Sequence, residues 1–201
     1  MRPKTIGAVI FDLGGVLIGI DLDQLQKEPE TKDWAPLIPE MRRQPETVLL
    51  NRGKMPPDEF YQVMRNRFSL SGSFEEFRRA WCGIFTPRPP MEDLVRRLAG
   101  RVPLGLLSDT EPMHWDYLRR QYGFLELFQK PVLSFEAGAV KPAAKMYQLA
   151  AESVGVPAER CFYIDDLPEN VEGARRAGMN AAVFESAEQV GAFLKESGIC
   201  F

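Results

Sequence analysis

The sequence has 201 residues, 45% of them hydrophobic, and a formal net charge of −3. This length fits one domain with room for a smaller insert, and the apolar fraction suffices for a hydrophobic core. The mildly acidic balance disfavours nucleic acid as a partner, because a phosphate backbone requires a basic surface. No stretch is long and apolar enough to predict a membrane span, and the N-terminal apolar run predicts a strand rather than a signal peptide.

Cysteine and histidine usage excludes several kinds of site. Cys82, Cys161 and Cys200 are far apart and have no metal-binding spacing, so we expect no disulfide framework and a reducing, cytoplasmic setting. The single histidine, His114, falls in a predicted helix and is interpreted as structural or exposed. Histidine-based triads and multi-histidine metal sites are therefore excluded.

An apolar run near the start ends in a carboxylate. Residues 8–11, Ala-Val-Ile-Phe, show no polar alternation, which is typical of a strand covered on both faces in a parallel sheet. Asp12 follows, and Gly14 and Gly15 allow a sharp turn that brings backbone N–H groups close to a ligand. Two interpretations are open: a ligand site at the end of the strand, or an Asp that only starts a turn.

A helical pattern interrupted by prolines occupies residues 20–88. Residues 57–68 are amphipathic, and Ser73 with Glu76 predicts a capping box at the start of another helix. We predict no strand in this block. Because the first strand belongs with the α/β pattern that follows the block, we expect a helical insertion between two core segments, 1–19 and 89–201.

Strands and helices alternate from residue 89 onward. The predicted strands are 102–108, 131–134, 161–164 and 181–184, and the predicted helices are 91–99, 112–122, 143–154, 168–177 and 187–196. This alternation indicates βαβ units, so we predict the α/β class with a parallel sheet.

Polar side chains mark the carboxyl ends of these strands. Ser108 ends one strand, Asp165 and Asp166 follow another, and Lys141 begins a helix. Since parallel strands share one polarity, we expect these groups to lie near Asp12 at one edge of the sheet. Carboxylates suit a hard cation such as Mg²⁺, lysine suits phosphoryl oxygens, and a carboxylate nucleophile can carry a phosphoryl group as an acyl phosphate.

Each of these groups also has an ordinary structural explanation. The aspartate pair suits a solvated turn in which Asp166 caps a helix, Lys141 suits an exposed helix start, and Ser108 suits a turn. Their shared placement at strand ends favours a common site.

Four motifs together resemble the haloacid dehalogenase-like superfamily, in the branch with a helical cap after the first strand. They are Phe11-Asp-Leu-Gly-Gly-Val-Leu17, Leu107-Ser-Asp-Thr110, Val140-Lys-Pro142 and the segment from Tyr163-Ile-Asp-Asp166 to Gly178. The resemblance implies a Rossmann-like core with a small inserted cap. Within the superfamily, the chain is similar to bacterial sugar-phosphate phosphatases.

The resemblance also implies a Mg²⁺-dependent phosphatase that works through an aspartyl-phosphate on Asp12. Mg²⁺ would be held by Asp12, the backbone carbonyl of Gly14 and Asp166, with Asp165 or Asn170 in support. The implied partner is a small phosphorylated metabolite such as a sugar phosphate, with no nucleic acid and no membrane, and the chain would be a monomer or homodimer.

The phosphoryl group would be bound by Ser108 and Lys141, beside Gly14 and Asp109, and Lys141 would also steady the nucleophile. Two of these positions depart from the family pattern. Gly14 stands where an acid–base Asp is usual, a group that typically contributes a factor of ~10²–10⁴. Asp109 stands where Asn is common; it either supplies part of the missing proton transfer or faces away and caps the next turn.

Two alternative functions remain open at this point. One is a metal-independent haloacid dehalogenase, and the other is a phosphate-binding or regulatory member that has lost turnover, for which Gly14 is the main support. Asn51, Arg52 and Lys54 lie in a polar break between cap helices and are candidates for contacting the substrate.

Overall fold

The computed structural model describes residues 6–23 and 33–201. In these ranges five parallel strands form one sheet in the order β5–β4–β1–β6–β7. The strands are β1 (Ala8–Phe11), β4 (Leu104–Ser108), β5 (Val132–Leu133), β6 (Cys161–Asp165) and β7 (Asn180–Val183). The predicted α/β class with a parallel sheet is confirmed, and β1 occupies its centre.

Helices cover both faces of the sheet and build the insertion. They are α1 (Ile38–Met41), α2 (Pro45–Asn51), α3 (Pro57–Arg67), α4 (Phe74–Cys82), α5 (Pro89–Leu98), α6 (Pro112–Gln121), α7 (Ser134–Ala137), α8 (Ala144–Val154), α9 (Pro168–Arg176) and α10 (Ala187–Glu196). None of the helices in the described ranges is long and apolar enough to cross a membrane.

The central strand β1 is buried on both faces, as its unalternating sequence predicts. Val9 and Phe11 join the apolar cluster that contains α5 and α10, whereas Ala8 and Ile10 join the cluster that contains α8. The two-residue alternation of a strand sends these side chains to opposite sides. Asp12 follows directly, so its backbone is attached to a strand that is fixed by packing on both faces.

The insertion has an apolar cluster of its own, which runs from Trp34 to Ile84 and is rich in aromatic side chains. Phe77 stacks on Trp81 with ring centroids 5.6 Å apart. The predicted capping box is present at the start of α4, where Ser73 and Glu76 exchange hydrogen bonds. Met113 of the core helix α6 also belongs to this cluster, so the insertion packs directly on the core. The boundaries at 20 and 88 stay a prediction.

The prediction of no strand in the inserted block is wrong near the end of the block, at residues 85–86. Gly19–Ile20 (β2) pairs antiparallel with Phe85–Thr86 (β3), with Ile20 opposite Phe85. Two-residue strands are too short to give a periodic pattern in the sequence. This ribbon forms the two crossings between core and insertion.

Gly53 provides a test of the contact between insertion and core. Its φ is +62°, and a Cβ at this position would overlap the backbone carbonyl of Phe135 in α7. Gly100 has a similar φ of +76° with nothing within 4 Å. We expect Gly100→Ala to cost about 1 kcal/mol of unfolding free energy for its left-handed backbone. Gly53→Ala should cost about 1–3 kcal/mol more, because backbone must also move.

Urea unfolding of the two variants and the wild type measures both costs. Equal losses in the two variants would mean that the insertion does not rest on the Phe135 carbonyl.

Candidate active site

The carboxyl edge of the sheet gathers the groups that the sequence places at strand ends. Asp12 follows β1, Ser108 ends β4 and Asp165 ends β6. Asp12, Gly14, Ser108, Asp109, Lys141 and Asp166 line one cavity of about 340 Å³, together with Asn170. These residues are separated by up to 158 positions in the sequence, and the fold brings them to one cavity. It supports the interpretation of these groups as one site.

Lys141 lies at the centre of the site. Its Nζ is 2.7 Å from Asp12 Oδ1 and 2.7 Å from Asp165 Oδ2, and its side chain is 2% exposed. Although burial alone would lower it, the charges of Asp12, Asp165 and Asp109 raise the pKa of Lys141 above its ordinary value. The lysine is therefore a permanent cation held between carboxylates, and the exposed helix start considered as its alternative is wrong.

Asp12 is buried, and its chemistry depends on nearby positive charge. Burial raises the pKa of Asp12 to about 7, while the charge of Lys141 opposes the shift and that of Asp165 adds to it. A second cation at the site would favour the ionised form of Asp12 further. An ionised Asp12 has a carboxylate oxygen available as a nucleophile at the end of a rigid strand.

Asp165 is fully buried and accepts hydrogen bonds from several directions. Its donors are Lys141 Nζ, the Tyr163 hydroxyl, the Leu167 N–H and the Asn170 amide. Burial raises the pKa of Asp165, but the charge of Lys141 and the hydrogen bonds from Lys141, Tyr163 and Leu167 together lower it below the ordinary value. This carboxylate fixes the position of Lys141.

The carboxylates of Asp12, Asp165 and Asp166 form a cluster suited to a cation. One oxygen of each lies within 4.8 Å of the others. Burial, and then the charge of Asp165, raise the pKa of Asp166. Gly15, at φ +89°, leaves room for Asp166, since a Cβ there would overlap its Oδ2. Oxygen donors of this kind match the preference of Mg²⁺.

Gly14 lines the cavity but brings no side chain to it. A Cβ at this position would lie 3.1 Å from Ile20 Cδ1. The space where an acid–base side chain would begin is therefore bordered by a methyl group of β2.

Asp109 points into the site, so the expectation that it faces away and caps the next turn is wrong. Its two carboxylate oxygens accept the backbone N–H of Lys141 at 3.0 and 3.1 Å. Burial raises its pKa, and the Lys141 cation opposes that shift. Glu111 takes the capping position instead and accepts the N–H groups of Met113 and His114 at the start of α6. Asp109 thus anchors the Lys141 segment.

Sequence reasoning missed a buried cluster where α4 meets α6. Trp81 Nε1 donates to Glu111 Oε1 at 3.1 Å, and His114 stacks on Trp81 with centroids 5.4 Å apart. Burial lowers the pKa of His114 to about 3, so its ring is neutral and Nε2–H donates to the Trp81 carbonyl at 2.9 Å. The sequence does contain one local signal for Glu111, because a polar residue directly before a proline such as Pro112 is typical of a helix start.

Residues of the insertion also line the cavity. Asn51, one of the three candidates from the polar break, lines the cavity. Arg52 is exposed and does not line the cavity. Lys54 is exposed and does not line the cavity. Arg42, which the sequence analysis did not select, does line it.

Comparison with known proteins gives one family and several relatives. The profile of the haloacid dehalogenase-like hydrolases matches residues 6–178. A sesquiterpene phosphatase of Aspergillus oryzae is 29% identical over 87% of this chain and 88% of its own length. A D-ribitol-5-phosphate phosphatase of Bacteroides thetaiotaomicron is 24% identical over 85% of this chain and 87% of its own length.

A solved structure shares the fold. A haloacid dehalogenase-family enzyme of Bacteroides thetaiotaomicron, in complex with magnesium and inorganic phosphate, superposes with a TM-score of 0.76. It is 24% identical and covers 90% of this chain and 94% of that one. The Rossmann-like architecture predicted for the core is confirmed at the level of the fold.

The buried Glu111 should make stability depend on pH. Burial raises the pKa of Glu111 from 4.5 to about 7. Between these values the folded protein holds more protons at Glu111 than the unfolded chain does, so the free energy of unfolding should fall as pH rises. The full span corresponds to about 3 kcal/mol. Glu111→Gln should remove this part of the decline.

Denaturant unfolding at pH values from 4.5 to 7.5 measures the slope. Glu92→Gln, at a partly exposed glutamate of α5, is the control and should keep the wild-type slope. The assignment fails if Glu111→Gln leaves the slope unchanged.

Proposed function

Because the chain belongs to the haloacid dehalogenase-like hydrolases, we propose that it is a Mg²⁺-dependent phosphatase of small phosphorylated metabolites that works through an aspartyl-phosphate on Asp12. The observation that carries this proposal is the placement of Lys141 Nζ at 2.7 Å from Asp12, in a cavity that Asp166 also lines, with the buried Asp165 clustered beside both carboxylates. The phosphatase activities of the two relatives support the same reaction class.

Asp12 is the nucleophile of the proposed first step. A carboxylate oxygen attacks phosphorus in line, the bond from phosphorus to the ester oxygen breaks, and the leaving oxygen takes a proton from water as the alcohol departs. Water then attacks the phosphorus of the acyl phosphate, which releases inorganic phosphate and restores the Asp12 carboxylate. The end of β1 holds this side chain in one place through both steps.

Lys141 and Ser108 hold the phosphoryl group in this proposal. Lys141 offsets negative charge on the phosphoryl oxygens, and its position is set by Asp165 and Asp109. The Ser108 hydroxyl lies at the end of β4 and lines the same cavity. Preorganised donors of this kind need no rearrangement during the reaction.

Mg²⁺ fits the carboxylate cluster. It would be held by Asp12, Asp166 and the carbonyl of Gly14, with Asp165 in support, and would neutralise charge on the phosphoryl oxygens. The half-buried Asp166, to which none of the described side chains donates a hydrogen bond, is the open ligand of the set.

The insertion at 20–88 is proposed to act as a cap domain that excludes water and selects the substrate. Its residues Arg42, Thr47 and Asn51 line the same cavity as the proposed catalytic groups. A sugar phosphate is the substrate expected from the family resemblance. A cytoplasmic setting, a monomer or homodimer, and the absence of nucleic-acid and membrane partners belong to the same proposal.

Asp12→Asn should abolish hydrolysis of an aryl phosphate, because an amide cannot form the acyl phosphate. We expect kcat to fall at least about a thousandfold, and removal of Mg²⁺ by a chelator to have a comparable effect on the wild type. Release of inorganic phosphate measures both. Asp93→Asn, at an exposed residue of α5 paired with Arg97, should keep wild-type activity. Metal-independent turnover by the wild type would contradict the proposal.

Gly14→Asp tests the missing acid. An added carboxyl should raise kcat/KM most for substrates with poor leaving groups, since only these need protonation. Crowding by Ile20 Cδ1 should limit the gain to about tenfold, below the ~10²–10⁴ of a well-placed acid. Gly14→Asn adds equal bulk without an acid and should give no gain. Rates over aryl phosphates of graded leaving-group pKa measure the effect; equal rates in both variants would exclude an acid role at this position.

A further inference from the structure

Large apolar side chains are exposed at the rim of the catalytic cavity. Ile20 is 42% exposed and Leu167 is 46% exposed, and both line the cavity that contains Asp12. Phe85, the cross-strand partner of Ile20, lines it as well. Exposed apolar surface gathered in a concave site usually marks where a ligand binds. We name Ile20, Phe85 and Leu167 the apolar wall.

The apolar wall borders the groups that would react. Ile20 Cδ1 approaches Gly14, two residues after the nucleophile. Leu167 follows Asp166 directly, and its own N–H donates to Asp165. Anything bound through phosphorus at Asp12 therefore extends its ester oxygen and attached carbon atoms into a space next to these side chains.

We propose that the apolar wall binds the organic part of the substrate. The preferred substrate is then the phosphate monoester of an alcohol with an apolar carbon face close to the ester oxygen, rather than of a polyol. This inference rests on the proposed function and revises its sugar-phosphate expectation. The continuity of the apolar wall with the catalytic groups identifies the occupant as the leaving group.

Two further features agree with this assignment. A cavity of about 340 Å³ lies at the low end of the ~300–1,000 Å³ range of small-molecule sites, so the alcohol is small. The residues of β2 and β3 that line the cavity, Ile20 and Phe85, are both apolar, whereas the polar lining residues Arg42 and Asn51 come from other segments of the insertion. Hydroxyl groups packed against the apolar wall would lose hydrogen bonds to water without replacement.

The test measures binding of alkylphosphonates, which are not hydrolysed, to the Mg²⁺-loaded protein by calorimetry. From ethylphosphonate to pentylphosphonate, affinity should rise about threefold per methylene group. The isosteric 4-hydroxybutylphosphonate should bind about tenfold more weakly than pentylphosphonate. Turnover of phenyl, 4-ethylphenyl and 4-propylphenyl phosphates, whose leaving groups have similar acidity, should follow the same order in kcat/KM.

Variants of the apolar wall test whether it causes the dependence of affinity on chain length. Ile20→Thr and Leu167→Gln, singly and combined, should flatten the dependence on chain length while leaving the binding of methylphosphonate unchanged. Val48→Thr is the matched control, because Val48 is 45% exposed on α2 and does not line the cavity. It should keep the wild-type dependence.

The outcomes distinguish failure of the apolar wall from failure of the proposed phosphatase activity. Equal affinity for pentylphosphonate and 4-hydroxybutylphosphonate, or a chain-length dependence that survives in the double variant, would overturn the inference. Binding with the expected dependence but no hydrolysis of any ester would support the apolar wall and overturn the proposed phosphatase activity.

Discussion

The site depends on one buried cation, Lys141, shared by Asp12 and Asp165. Without it, two neighbouring carboxylates would be buried with no positive charge beside them, and they would take up protons rather than stay ionised. Several groups therefore hold Lys141 in place. Asp165 pairs with its ammonium group, Asp109 accepts its backbone N–H, and the Tyr163 hydroxyl lies 3.1 Å from its Nζ. Breaking a buried pair of this type is strongly destabilising, so the contacts that maintain the fold also hold the proposed nucleophile, Asp12.

Much of this edge could be predicted from the sequence because it follows from strand polarity. An apolar run without alternation identified β1, and parallel strands must end on one side, so Asp12, Ser108 and Asp165 had to approach one another. Lys141 required more, since it follows the edge strand β5 and α7 rather than a strand end. The motif resemblance predicted that Lys141 lies at the site, and the structure shows that Asp12 and Asp165 are its partners.

What the sequence did not predict depends on contacts between distant segments. The two-residue strands β2 and β3 are paired across more than sixty positions, and neither has a pattern of its own. Asp109 looked like a helix cap because Asp commonly is one, but Glu111 occupies that position. His114 is buried because Trp81 of the insertion stacks on it. Local propensity carries no information about such packing, since the partner segment decides it.

Gly14 connects the catalytic groups with the apolar wall. The residue that removes the usual acid also removes the bulk that would displace Ile20, and the close approach of Ile20 Cδ1 fills part of the vacated space. A carboxyl at this position would meet an apolar side chain, where burial without a partner raises its pKa and weakens its interaction with water. In the proposed function, the missing acid and the apolar surface for the leaving group therefore lie next to each other. Without the acid, esters of alcohols that are poor leaving groups should react more slowly. The apolar surface should favour substrates whose carbon atoms it can bury.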